Sequence, residues 1–170
     1  MVPVKPTVKK IRRKRFMDAP EKLNNKILFR LAHAEQIKQL SPCPRGQVGA
    51  VIFDPNTFAI ISDGFNGPPR KGGNLCGGDR CNRNDRNIES GTHCEIGCHH
   101  AEVNALCNAV RNGHKTEGMH MAISCAPCLM CAKMIHHAGI TKVYYSNPLG
   151  YLSDGLGYLD PFIQLHENIE

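Results

Sequence analysis

The residues in this chain whose types and spacing can do chemistry are His100-Ala101-Glu102 and, 28 residues after the histidine, Cys128-Leu129-Met130-Cys131, with Pro127 just before them. One imidazole and two thiols make three zinc ligands. That is one short of the four protein groups that close a structural site, whereas a catalytic zinc keeps a position for water or substrate. Glu102 lies two residues beyond His100 and points to a different side of the turn, toward the open position, where a general base belongs. A zinc held this way lowers the pKa of the water it binds to roughly 7, so the carboxylate can take the released proton and hand it on. The set predicts a zinc hydrolase, with His100, Cys128 and Cys131 on one catalytic zinc and Glu102 as its catalytic proton carrier.

These groups need elements that aim them at one point. Ala101, Ala105, Leu106, Ala109 and Val110 recur at helical spacing, which predicts a helix over 100–112 opened by His100. Cys128 and Cys131 are three apart and share a face on a second helix, 127–138, with Pro127 in its first turn and both thiolates at the positive end of its dipole. Strands are predicted at Met119 to Ser124 and Ile140 to Ser146. Earlier in the chain, Gln47 to Phe53 and Ala59 to Asp63 form a hairpin through Asp54-Pro55-Asn56. Leu23, Ile27, Leu31 and Ala34 mark one face of an amphipathic helix over 21–40 that should cover a sheet. Helix and strand alternate, which implies a sheet with parallel crossovers and both ligand helices starting at one end of it. Residues 147–170 contribute a final helix with no clear last strand.

At 170 residues this is one domain, 21–170, behind a basic arm, 1–20. The net charge of +6 divides unevenly. Residues 1–17 carry seven of the 21 basic residues and no acid, which leaves 14 against 15 acidic in the rest. A body this close to neutral suits a small nucleotide better than a polynucleotide, leaving only the arm to meet nucleic acid. No hydrophobic run is long enough to span a membrane or form a signal-peptide core. With nine cysteines, an odd count, that predicts a soluble protein in the reducing cytoplasm.

H-x-E followed by P-C-x-x-C is the signature of zinc deaminases that attack C4 of cytosine or C6 of adenine. Further blocks narrow it: Gln47-Val48-Gly49-Ala50-Val51-Ile52, Gly64-Phe65-Asn66-Gly67-Pro68-Pro69, His100-Ala101-Glu102-Val103-Asn104-Ala105-Leu106 and Ser124-Cys125-Ala126-Pro127-Cys128 onward to Ile135. Over about residues 21–150 the chain resembles the deoxycytidylate (dCMP) deaminases of the cytidine deaminase superfamily. The Asn-Gly-x-Pro motif and Asn104 carry the narrower match. The resemblance implies a three-layer α/β/α sandwich around a mixed sheet of four to five strands, and hydrolysis of dCMP to dUMP and ammonia for thymidylate synthesis. It implies substrate contacts from Asn66, Arg111 (phosphate) and Tyr151 (over the pyrimidine). It further implies a homo-hexamer answering to dCTP and dTTP, with Arg45 a candidate for effector phosphates. Phe65 stands where the family usually has tyrosine, so a hydroxyl is missing from that loop.

Some relatives of this kind carry a second, structural zinc, and Cys43, Cys76 and Cys98 match its ligand places, with Cys94, His93 or Cys81 as the fourth. Such an ion would explain how the Gly-, Asn- and Cys-rich insertion 68–98, which lacks apolar periodicity, becomes ordered. Cys107 is expected as a buried core thiol and Cys125 as a strand-end packing residue. Two other functions compete: a deaminase of tRNA or another polynucleotide, which should show a basic body, and a noncatalytic zinc protein binding nucleic acid, which leaves Glu102 without a role.

Overall fold

The computed structural model describes residues 19–69, 76–77, 79–90, 92, 94, 96–146, 153–160 and 164–167. The basic arm lies outside these residues except at its last two positions. In chain order the elements are α1 (Ala19–Ile37) with a 3-10 turn (Lys38–Leu40), β1 (Gly49–Phe53), β2 (Ile60–Phe65), β3 (Cys76–Gly77), β4 (Arg80–Cys81), α2 (Ala101–Arg111), β5 (His120–Ile123), α3 (Leu129–His137), β6 (Lys142–Tyr145), α4 (Ser153–Leu159) and β7 (Gln164–Glu167).

Five strands form one mixed sheet in the order β2-β1-β5-β6-β7. β1 is antiparallel to β2 and β5, while β5, β6 and β7 run parallel. The hairpin, both crossover helices and the mixed sheet agree with the sequence reading. The final helix expected in 147–170 is α4, but β7 then pairs with β6 from Lys142↔Gln164 to Tyr145↔Glu167, so a last strand exists where none was expected. Its four residues have too little apolar alternation to announce it, and it forms because β6 offers an open edge.

Side chains alternate across β1 and β5 with the two-residue period of a strand. Ala50, Ile52, Met121, Ile123 and Val143 face α2, α3 and Leu159 of α4. Phe53, Ala122 and Tyr144 face Ile27 and Leu31 of α1. Helices therefore cover both faces, and the sheet is the middle of three layers. Phe53, Ile52, Met121 and Ile123 are completely buried, each contributing about 1.5–3 kcal/mol by leaving water.

The register also says which end of the sheet matters. Gly49 pairs with Phe65 and its N–H donates to Ser124 Oγ at 3.0 Å, so the start of β1 and the ends of β2 and β5 lie side by side. Helix α2 leaves this end along β2. Asn104 Nδ2 donates to the Phe65 carbonyl and Asn108 Nδ2 to that of Asp63, each at 2.8 Å, while Ser62 Oγ donates to the Ala105 carbonyl at 2.8 Å. A helix here covers the otherwise bare backbone edge of β2. Gly64 lets it come so close: a Cβ there would lie 2.4 Å from Ala105 N and 2.6 Å from the Ala101 carbonyl oxygen.

Candidate metal centre

His100 and Cys128 are both N-cap residues, with extended backbones (φ −76°, ψ 154° and φ −72°, ψ 165°) just before α2 and α3. The proline expected in the first turn of the second helix therefore precedes the cap, and Cys131 falls in that first turn. Each ligand sits where a helix presents unpaired N–H groups and positive potential, which favours thiolate. Gly67 and His99 exchange both backbone hydrogen bonds, at 3.1 and 2.9 Å, so the Asn66-Gly67 loop is stitched to the residue before the metal-capable histidine.

His100 Nδ1 lies 3.5 Å from Cys128 Sγ and 3.4 Å from Cys131 Sγ. Zn–S bonds near 2.3 Å and Zn–N bonds near 2.0–2.1 Å, set tetrahedrally, put such atoms about 3.5 Å apart, so the donors fit zinc. Among the described residues this is the one group of three metal-capable side chains whose donor atoms all lie within 4.8 Å of one another. His100 is exposed and Cys128 half-buried, while Cys131 is buried. The centre therefore opens to solvent on the imidazole side.

Electrostatics prepare the ligands. The Cys131 thiol beside Cys128, together with His100, holds Cys128 down to about 4. Cys131 is pushed up in turn by Cys128 and by burial, so the pair shares one proton that a cation would displace. His100 is raised by Cys128. Glu102 is 3% exposed, and burial raises its carboxyl above the usual range although His100 pulls the other way. A carboxyl that binds its proton more firmly than usual is suited to hold one in transit.

The other expected site residues are distributed differently. Asn66 is buried, its Oδ1 accepting from Val48 N at 2.8 Å and its Nδ2 donating to the Gly46 carbonyl at 2.9 Å, so its amide secures the loop leading into β1. Arg111 closes α2, whose 11 residues span about 16 Å from the N-cap His100. The structure does not bring Arg111 to the centre in the same chain, because the helix that carries His100 to one end of the sheet carries Arg111 to the other. Arg45, expected at effector phosphates, instead donates to the Ile88 carbonyl at 2.8 Å and Ser90 Oγ at 2.7 Å, fastening the insertion. Tyr151 and His93 lie outside the described residues. Cys107 is exposed rather than in the core, since Ala105, Leu106 and Ala109 take the inward positions of α2. Cys125 is buried as expected, which pushes its thiol up to about 12.

Sequence reasoning missed the supporting groups: Ser62, Gly64 and Asn108 position α2. The Asn104/Asn108 spacing of four was the available signal, because it places both amides on one helix face.

The sequence matches the profile of the cytidine and deoxycytidylate deaminase zinc-binding region over residues 23–147. It is 34% identical over 116 residues to ComE operon protein 2 of Bacillus subtilis, covering 68% of this chain and 56% of that one. It is 33% identical over 139 residues to the deoxycytidylate deaminase of Enterobacteria phage T4, covering 64% and 71%. Among solved structures, the dCMP deaminase of cyanophage S-TIM5 in complex with dCMP and dUMP superposes with a TM-score of 0.67 and 27% identity, over 90% of this chain and 100% of that one. A metal-capable triad at the starts of two helices, a buried glutamate beside it and a match across most of the sheet agree: the chain belongs to the cytidine and deoxycytidylate deaminase family.

Proposed function

We propose that this chain hydrolyses dCMP to dUMP and ammonia. The observation that carries the reading is a buried Glu102 carboxyl that feels His100, Cys128 and Cys131, the three donors whose atoms lie together. The substrate reading is supported by the T4 relative, which is a deoxycytidylate deaminase, and by the S-TIM5 enzyme solved with dCMP and dUMP. When held by the three donors, zinc supplies a Lewis acid and a water that is acidic at neutral pH. Glu102 would take one proton from the attacking water and pass it to N3 of the cytosine ring, then take a second from the new hydroxyl on C4 and pass it to the departing amine. Backbone N–H groups at the start of α3 would stabilise negative charge developing on the oxygen that joins the reacting carbon. The Asn66 loop, tied beside His100, holds the sugar. A contact of Tyr151 with the pyrimidine is supported by the family resemblance alone. A phosphate role for Arg111 belongs to a neighbouring subunit's site in a hexamer. Such an assembly, working in the cytoplasm and answering to dCTP and dTTP, would cover exposed apolar side chains such as Phe29, which is 71% exposed on α1.

A second, structural zinc completes the reading. Cys43 is held down to about 5 chiefly by Cys98, while Cys98 is pushed up by Cys43, burial and Cys76, a sharing of protons that supports a cation there. Cys94 is exposed, its Sγ 3.3 Å from the Ile96 carbonyl oxygen. Cys81 is buried and sits opposite Cys76 in the β3–β4 pair, so it is the better fourth ligand. Cys76→Ser should lower zinc content by one per chain and loosen the insertion. An unchanged zinc count with unaltered folding counts against the site.

The substrate test is ammonia release from dCMP, dCTP, deoxycytidine, 5-methyl-dCMP and a tRNA anticodon stem, with and without dCTP as activator. Two charge-assisted hydrogen bonds to phosphate, at about 1.5–3 kcal/mol each, should favour dCMP over deoxycytidine by roughly 10²-fold or more. Turnover of the tRNA stem without turnover of any monophosphate overturns the reading.

A further inference from the structure

The family match ends at residue 147, yet the short helix that follows presses on the metal loop. A Cβ on Gly155 of α4 would lie 2.0 Å from the Pro127 carbonyl oxygen and 2.8 Å from the carbonyl carbon of Cys128, where ordinary contact begins at 3.4 Å. Pro127 is itself among the fully buried side chains, so its peptide has little room to retreat. Leu159 is one turn beyond Gly155 on the same face of α4 and completely buried in the cluster that includes Ala132 and Ile135 of α3. Tyr158 Oη adds a contact with His136 Nδ1 at 3.4 Å. One side of α4 is thus anchored in the core while its glycine lies against the peptide that carries Cys128.

We infer that Gly155 is a positioning residue: by letting α4 pack directly on the Pro127–Cys128 peptide, it holds the Cys128 sulfur at its distance from His100 and Cys131. The inference rests on the zinc-deaminase reading of that centre but not on the identity of the nucleotide. A side chain at 155 must push the helix or the loop by roughly 1 Å, and a misplacement of that size can cost about 10²-fold in rate. Outer groups that orient metal ligands typically change metal affinity or activity by about 10–100-fold.

Gly157 supplies the control. It lies on the same helix with nothing within 4 Å of an added Cβ, so Gly157→Ala raises helix propensity without a collision. Zinc release to a chromogenic chelator is followed for wild type, G155A and G157A. The catalytic ion is identified as the phase missing from Cys128→Ala. G155A should release that ion roughly 10–100-fold faster and lose kcat more than it raises KM, a change larger than the lower melting of its metal-stripped form accounts for. G157A should match wild type in all three readouts. Wild-type release from G155A overturns the inference, and so does a release rate that rises only in step with lower stability of the stripped protein. If G155A does not fold, Leu159→Ala loosens the anchor of α4 without touching the loop. Unchanged release from that variant overturns the inference equally.

Discussion

Glu102→Gln should keep its zinc and its fold while losing roughly 10²–10⁴-fold in dCMP turnover, the range available to a positioned general acid and base. The amide has the shape of the carboxyl but cannot take up and return a proton. Its effect on stability runs the other way. Burial raises the Glu102 carboxyl, so its charged form is disfavoured in the folded protein, and a neutral side chain removes that cost. Thermal melting at pH 7 should therefore be unchanged or improved. Steady-state kinetics with metal content on the same preparation decide the matter. Activity within tenfold of wild type would remove Glu102 as the proton carrier, and a loss of zinc would make it a ligand instead.

Removing a ligand should be as costly to the rate and harsher to the metal. Cys128→Ala leaves His100 and Cys131 as the only donors of the triad, and two donors do not hold zinc against water at neutral pH as three do. One zinc per chain should be lost and turnover should fall to background, a loss of about 10³-fold or more. The half-buried position of Cys128 means the deleted sulfur leaves little cavity, so folding should survive. Wild-type protein stripped by a chelator should behave the same way and recover on adding Zn²⁺. Retained turnover in metal-free protein would end the zinc reading.

The grouping of His100, Cys128 and Cys131 was legible in the sequence because it is local: two ligand types, two short spacings and a proline. Helices α1, α2 and α3 and the β1–β2 hairpin were legible from apolar period and turn residues. What escaped depends on long-range partners. β7 exists by pairing with β6, and nothing within Gln164–Glu167 states that pairing. Arg111 is drawn into the site by the family resemblance, but it ends the helix that His100 begins, and direction along that helix separates the two. Arg45 reads as a free cation in sequence, yet it reaches residues 43 and 45 positions away. Cys107 is expected in the core because free cysteines are among the most buried residues, and only the packing of α2 on the sheet shows which stripe faces outward.

That the triad hangs from two helix starts has a consequence for how the molecule can vary. The lengths of α2 and α3 do not enter the geometry of His100, Cys128 and Cys131, since both helices run away from it. Turns may be added or lost at Asn112-Gly113, where the glycine is open to solvent, without altering the spacing of the donor atoms. The far ends of these helices are therefore the region in which new surfaces can arise while the chemistry stays fixed.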